Sequence, residues 1–196
     1  MAASVNMELD GAGLFGVSER EREQESDEAL VRAAQRGDRA AYGVLYQRFA
    51  RMVHGVLLSR VPVAAAEDLL QDVFLAALPR LATLRDVSRF GGWLAAIARN
   101  RANDYHRQAP PTSELNEELA ENAPEGRKAR PEWVEGLFLL EAIRALPEAY
   151  REPLVLRFVE GMTGPEIAER TGLKHGSVRV NLCRGMQMLR EKLGRR

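Results

Sequence analysis

Apolar residues recur at three- and four-residue steps through most of the chain from residue 27 onward, the spacing of amphipathic helices. A first helix is predicted to begin at a capping residue, Asp27, and later ones to run from Ala65 to Leu81 and from about Arg89 to Arg107. The clearest run lies between these and includes Tyr42, Leu45, Tyr46, Phe49, Val53, Val56 and Leu57. We find no strand pattern and no internal repeat, so the fold class is predicted to be all-α.

Glycine and proline divide this pattern into two small helical domains. Four helices between residues 27 and 107, broken at Gly37 and Pro62, are predicted to form one domain. Residues 108–132 are rich in proline and acidic side chains, lack a helical period, and are predicted to be a flexible linker. Helical pattern resumes across residues 133–196, with stops at Pro147 and Gly161. Residues 1–26 are predicted to be a disordered acidic tail.

The net charge of zero conceals a strong segregation along the chain. Residues 1–28 carry a net charge of −6, residues 29–107 +6, residues 108–135 −4 and residues 163–196 +5. Two basic segments separated by acidic ones are typical of a chain that contacts the phosphate backbone of a nucleic acid at two places. Ordinary solvated helix faces are the alternative explanation at this point.

Several function classes receive no support from the sequence. Cys183 is the only cysteine, and the chain has neither a signal-peptide pattern nor an apolar stretch of about 18 residues. We therefore expect a cytoplasmic protein without membrane insertion. A G-x-G-x-x-G string at residues 11–16 lacks the preceding strand that phosphate binding requires. The histidines are scattered, so we expect no enzyme activity, metal or cofactor.

Residues 161–184 have the arrangement of a helix-turn-helix. Thr163 or Gly164 can cap a first helix that Pro165 opens, and Gly172 can supply a left-handed turn. Ser177 is predicted to start the second helix. Val178 and Leu182 then face inward, whereas the outward face carries Arg179, Val180, Cys183 and Arg184. With Lys174 and further basic residues nearby, this face predicts binding in a DNA major groove, although such a helix can also be a plain packing element.

Three segments resemble the signatures of extracytoplasmic-function (ECF) sigma factors, a subfamily of the sigma-70 family. The helix-turn-helix, with Glu166-Ile-Ala, Gly172 and Gly176-Ser-Val-Arg-Val-Asn-Leu, resembles sigma region 4. Ala66-Glu-Asp-Leu-Leu-Gln-Asp-Val-Phe-Leu resembles a region 2 signature, and Phe90-Gly-Gly-Trp-Leu-Ala-Ala-Ile-Ala-Arg-Asn resembles the promoter-melting helix. The three occur in the family's order and together cover most of residues 27–193.

The resemblance implies that the chain directs promoter recognition and transcription initiation by bacterial RNA polymerase. In the family, the third helix docks on the clamp of the largest catalytic subunit, which implies core-polymerase contacts by Asp68, Gln71, Asp72 and Leu75. The fourth helix reads the minus-ten element as single-stranded DNA, which implies roles for Trp93, Arg99, Asn100, Asn103 and Arg107. Asn100 is the foremost candidate because an amide can bond the edge of a flipped base. Trp93 also lies on the apolar stripe, so a core position is equally consistent with the pattern.

For the second domain, the resemblance implies contact with the minus-thirty-five element and with the flap of the second large subunit. The implied DNA-binding residues are Lys174, Ser177, Arg179, Val180, Cys183 and Arg184. Gly185 departs from the family's usual alanine and is expected to cost about 1 kcal/mol of helix stability, so that the helix frays or bends there. The family also implies an anti-sigma factor as a partner.

The alternative is a stand-alone helix-turn-helix regulator that binds duplex DNA without polymerase, or an offshoot of the family that has lost polymerase binding. Such a regulator needs no acidic and amide face on the third helix and usually binds as a dimer. The sequence contains no dimerisation heptad.

Overall fold

The computed structural model describes residues 26–108 and 132–194, so all of the predicted tail except Ser26, and all but the ends of the predicted linker, lie outside it. Within these residues the fold is all-α, as predicted, and no strand occurs. The eight α-helices are α1 (Asp27–Gln35), α2 (Arg39–Leu58), α3 (Val63–Ala77), α4 (Phe90–Gln108), α5 (Glu132–Arg144), α6 (Glu148–Phe158), α7 (Gly164–Thr171) and α8 (His175–Gly194).

Helices α1, α3 and α4 pack around α2, whose inward face supplies much of the core. Its buried apolar residues are Ala41, Leu45, Phe49, Met52, Val53, Val56, Leu57 and Leu58, all at most 3% exposed. The predicted cap of α1 was wrong by one residue. Ser26 is the N-cap, accepting a hydrogen bond from the Ala29 amide, and Asp27 is the first helical residue.

The third helix was predicted to reach Leu81 but ends at Ala77. A 3₁₀ segment, Leu78–Thr83, follows it. Pro79 explains the difference, because proline has no amide hydrogen to donate to the carbonyl four residues earlier. The chain then turns through a second 3₁₀ segment, Val87–Arg89, into α4.

Helices α5 to α8 form the second group, with α6 in contact with the other three. Leu154, Val155 and Leu156 of α6 are fully buried, together with Ile143 of α5 and Ile167 of α7. Leu137 of α5, in contrast, is 41% exposed.

The expected weak point at Gly185 is not present, because α8 continues unbroken through it. Gly185 is buried where α8 crosses α6. A Cβ atom at this position would lie 2.9 Å from Leu154 Cδ1 and 3.2 Å from Tyr150 Cβ. The glycine therefore permits close packing of the two helices, which the sequence pattern could not indicate.

Replacing Gly185 with alanine should lower the free energy of unfolding, although alanine is the better helix former. Overpacking costs about 1–3 kcal/mol, which exceeds the gain of about 1 kcal/mol in helix propensity. Gly136 of α5 is the matched control, because a Cβ there meets nothing within 4 Å. Urea unfolding followed by circular dichroism should show Gly185→Ala destabilised and Gly136→Ala unchanged or stabilised. Equal stabilisation of both variants would contradict this packing.

The two groups of helices are in direct contact with each other. Helix α2 packs against α6 and α7, and α4 packs against α7. The apolar core is continuous across both groups. Two small helical domains joined by a linker were predicted, and their mutual packing is a feature that helical periodicity does not reveal.

Candidate polymerase and nucleic-acid interfaces

The outward face of α3 carries two carboxylates beside exposed apolar side chains. Asp68, Gln71, Asp72 and Leu75 are all exposed, at the three- and four-residue steps that place them on one face. Neither aspartate forms an ion pair with another described residue. Leu75, on the same face, is 68% exposed. The four predicted residues are thus brought together on one open surface.

This surface has an apolar extension that the sequence analysis missed. Leu78 is 44% exposed and continues the three-residue step from Leu75, and Tyr46 of α2 is 36% exposed. The Tyr46 ring packs on Phe74 with centroids 4.6 Å apart. Tyr42 donates a hydrogen bond to the Phe74 carbonyl at 2.6 Å, and its burial raises the pKa of Tyr42 to about 12. The spacing from Leu75 to Leu78 was the signal available in the sequence.

Helix α4 is fixed by a row of buried residues on its inner face, namely Phe90, Leu94, Ile97 and Ala98. The Phe90 ring meets Phe49 of α2 edge-on, with centroids 5.0 Å apart. Trp93 is half-buried and packs against Phe90 at 5.9 Å. It therefore belongs partly to the core and still has part of its ring at the surface.

The predicted minus-ten residues on α4 divide into two sets. Asn100, Asn103 and Arg107 are exposed, with Arg107 paired to Asp104 one turn earlier. Arg99 lies on the side of α4 that faces away from the core of its own group of helices, and α6 covers it there. Its guanidinium forms two hydrogen bonds with Glu152 of α6, at 3.0 and 2.6 Å, and its side chain is only 26% exposed. These hydrogen bonds with Glu152 raise the pKa of Arg99.

The helix-turn-helix has the local structure that its sequence predicts. Thr163, not Gly164, is the N-cap of α7, and it forms a capping box with Glu166. The Glu166 carboxylate accepts from the Thr163 amide at 2.7 Å, which lowers the pKa of Glu166. Gly172 ends the helix in the left-handed conformation, with φ of +71°. The second helix begins at His175, two residues before the predicted Ser177.

The N-terminal half of α8 presents one exposed face. Val178 is fully buried, and Leu182 is half-buried against the core, as predicted. Every residue predicted to contact the minus-thirty-five element is exposed, namely Lys174, Ser177, Arg179, Val180, Cys183 and Arg184. Val180 is 44% exposed. Within the described part of the chain none of the three basic residues is held in an ion pair, so their charges are available to a polyanion.

Other kinds of site receive no support in the described residues. Over residues 26–108 and 132–194, no group of three or more histidine, cysteine, aspartate or glutamate side chains could hold a metal ion. No helix in this part of the chain combines the length and apolar character that crossing a membrane requires.

Comparison with known proteins decides the family. Residues 45–110 match the model of sigma-70 region 2, and residues 139–189 match that of sigma-70 region 4. The ECF RNA polymerase sigma-E factor of Haemophilus influenzae is 31% identical over 185 residues, which cover 87% of this chain and 97% of that protein. The chain belongs to the ECF sigma factors. The sigma-E factor of Escherichia coli K12 is likewise 31% identical, over 183 residues that cover 87% of this chain and 96% of the relative.

The fold of this sigma factor also resembles that of CnrH in a solved complex with the cytosolic domain of CnrY. The TM-score is 0.61 at 25% identity, over 87% of this chain and 98% of CnrH. The sigma factor is a non-catalytic initiation factor that binds RNA polymerase and promoter DNA. The predicted function, that of an RNA polymerase sigma factor, is therefore confirmed in preference to that of a stand-alone regulator. The region 2 match contains the exposed α3 face and α4, and the region 4 match contains α7 and the N-terminal half of α8.

Proposed function

We propose that this sigma factor uses three separate surfaces during initiation. The α3 face binds the clamp of the largest polymerase subunit, α4 binds the minus-ten element as a single strand, and α8 reads the minus-thirty-five element as a duplex. Residues 27–107 and 133–196 act as the two functional domains, the second also contacting the polymerase flap. The acidic tail and linker, residues 1–26 and 108–132, lie outside these domains. Because its template and polymerase are cytoplasmic, the sigma factor works in that compartment.

The observation that carries the proposal is the open α3 face. A protein that bound only DNA would gain nothing from two unpaired carboxylates beside an exposed leucine, because carboxylates repel phosphate. Leu75, Leu78 and Tyr46 supply apolar area, and Asp68 and Asp72 supply charge for a basic partner. An apolar centre with charged groups at its edge is the usual composition of a protein interface.

The exposed amides of α4 suit a single strand. Asn100 and Asn103 are one turn apart, and an asparagine can both donate to and accept from the Watson–Crick edge of an unstacked base. The half-buried Trp93 can offer the exposed part of its ring for stacking. Basic side chains nearby, such as Arg107, can hold the strand's phosphates.

Replacing Asn100 with alanine should slow promoter opening by about tenfold or more, the effect of losing one good base contact. The measurement is the rate of open-complex formation by polymerase carrying the variant, on templates altered at each minus-ten position in turn. At one of these positions the variant should no longer distinguish the bases. Gln47→Ala, which removes an exposed amide from α2, should behave as the unmodified protein. Equal effects of the two substitutions would exclude base recognition by Asn100.

An anti-sigma factor is the further partner proposed for this chain. The supporting observation is the likeness to CnrH, whose solved structure contains the cytosolic domain of CnrY. Purification of the sigma factor from its native cell should recover an inhibitor that suppresses transcription by the reconstituted polymerase. Recovery without any such inhibitor under non-inducing conditions would count against this partner.

A further inference from the structure

The joining segment, residues 78–89 between α3 and α4, is held by a side chain from α1. Gln35, the last residue of α1, donates from its side-chain amide to the Leu81 carbonyl at 3.0 Å and to the Leu84 carbonyl at 2.8 Å. A primary amide has two N–H groups, so both are used on this segment. Helix α1 also packs against both 3₁₀ segments. The joining segment is therefore anchored by a residue that lies 46 and 49 positions before the two carbonyls in the chain.

Backbone hydrogen bonds alone do not hold the joining segment at Leu84. The buried Leu81 has a carbonyl that accepts from the Leu84 amide at 3.1 Å. At Leu84 the backbone leaves the 3₁₀ conformation, with φ of −73° and ψ of 105°. No backbone amide among the described residues donates to the Leu84 carbonyl. A carbonyl that leaves water requires a donor, and Gln35 supplies it.

The second half of the joining segment, residues 85–89, is a turn that presents polar groups to solvent. Arg85, Asp86 and Ser88 are exposed. The Asp86 carboxylate accepts from the Ser88 hydroxyl at 2.6 Å and from the Ser88 amide at 3.2 Å, and it pairs with Arg89 at 3.0 Å. These contacts, chiefly the hydrogen bond from the Ser88 hydroxyl, lower the pKa of Asp86. The turn is thus bonded within itself, and its place on the domain depends on the anchor that precedes it.

This turn continues the line of side chains proposed to bind the minus-ten strand. Arg89 lies four residues before Trp93, and Asn100 lies seven residues after it, so the three project along one side of the helix. A single strand that contacts Asn100 and Trp93 is carried along this line onto the turn. The exposed arginines there can bind phosphates, and the exposed hydroxyl and backbone groups can bond the edge of a base.

We propose that Gln35 is a positioning residue for promoter recognition, whose side-chain amide fixes the joining segment and thereby sets the preference of the turn for a second base of the minus-ten element. The inference rests on the proposed function of α4 and deepens it. Helix α4 is held separately by its own buried residues, including Leu94 and Ile97. Loss of the amide should therefore displace the turn and leave Asn100 in place.

Three substitutions separate the hydrogen bonds of Gln35 from its bulk. Gln35→Met keeps the length of the side chain and its compatibility with the helix but removes both donors. Gln35→Lys should restore the anchor, because an ammonium group on a side chain of similar reach can donate to both carbonyls. Gln47→Met is the matched control, since it makes the same exchange at an exposed position of α2.

Hydrogen exchange in the free, full-length protein, followed residue by residue by nuclear magnetic resonance, tests the anchor. The amides of Leu84 and Arg89 bond to carbonyls of the joining segment, each at 3.1 Å. Both should exchange about tenfold faster in Gln35→Met, because the segment opens more often. Gln35→Lys and Gln47→Met should match the unmodified protein, and the buried Ala98 of α4 should exchange equally in all four proteins. Unchanged exchange at Leu84 and Arg89 in Gln35→Met would overturn the anchor.

Base preference tests whether the anchor serves recognition. The rate of open-complex formation is measured with polymerase carrying each protein, on templates altered at each minus-ten position in turn. Gln35→Met should lose discrimination by about fivefold or more at one position, and this should differ from the position affected by Asn100→Ala. Gln35→Lys and Gln47→Met should keep it. Faster exchange with an unchanged preference, or equal slowing on every template, would show that Gln35 is merely structural and would overturn the positioning role.

The same experiments distinguish failure of this inference from failure of the proposed function. If polymerase carrying the unmodified protein forms no open complex, the proposed function fails and the positioning role fails with it. The anchor itself still stands if exchange accelerates in Gln35→Met and is restored in Gln35→Lys. If the unmodified protein opens promoters with a clear base preference that Gln35→Met retains in full, only the positioning role fails.

Discussion

Replacing Asp72 with arginine is expected to abolish initiation by preventing the sigma factor from binding core polymerase. Asp72 is exposed at the centre of the α3 face, next to Gln71 and one turn before Leu75. Reversing its charge opposite a basic partner replaces an attraction with a repulsion. Loss of one close charge pair at an interface costs about 2–5 kcal/mol, so affinity should fall about 30-fold or more.

The fold should survive this substitution, because Asp72 has no hydrogen bond or ion pair with the described residues and surface changes of this kind are usually within about 0.5 kcal/mol. The measurement is binding of labelled sigma factor to core polymerase without DNA, together with thermal unfolding. Glu28→Arg, which reverses an exposed charge on α1, is the control. Similar weakening by both variants would point to a general effect of charge and not to the α3 face.

Removing the arginines of α8 should produce the second large effect, confined to the minus-thirty-five element. Arg179 and Arg184 are exposed on the face that also carries Val180. An arginine that forms two hydrogen bonds with guanine contributes about 1–3 kcal/mol of discrimination against other bases. One that binds phosphate contributes mainly to the salt dependence of DNA binding. The double replacement by alanine should therefore weaken promoter binding by tenfold or more, an estimate of about 1.4 kcal/mol or above.

The two roles separate when binding is measured at several salt concentrations on templates with intact and altered minus-thirty-five sequences. If an arginine reads a base, its alanine variant should bind both templates equally. If it binds phosphate, the salt slope should fall by about one for each residue. Arg36→Ala removes an exposed arginine from the C-terminal cap of α1. It should change neither the discrimination between the two templates nor the salt slope. Preserved discrimination and salt slope in the double variant would remove α8 from DNA recognition.

Local features of the fold could be predicted from the sequence because their causes are local. Thr163, Pro165 and Gly172 lie within ten residues of one another, and each acts on backbone groups beside it. Errors at helix ends have equally local causes, as with Pro79, which turns the end of the third helix into a 3₁₀ segment. Helical period also placed the exposed α3 face correctly, since Asp68 and Asp72 face away from their own domain.

The packing between the domains could not be predicted in this way. Periodicity shows which side of α4 faces its own core, and Arg99 is on the opposite side. It does not show that a second domain covers that side. Two signals were present in retrospect: Glu152 stands immediately before an apolar run, and Gly55 interrupts the apolar face of α2. A single sequence does not connect residues that lie so far apart along the chain.

Promoter-dependent transcription by core polymerase tests the central claim most directly. The template is linear DNA from upstream of the operon that encodes the sigma factor, and the readout is the length and amount of run-off transcript with and without the protein. A transcript of defined length that requires the protein is the predicted result. Binding of the protein to this DNA in the absence of core polymerase, with no protein-dependent transcript in its presence, would contradict the account.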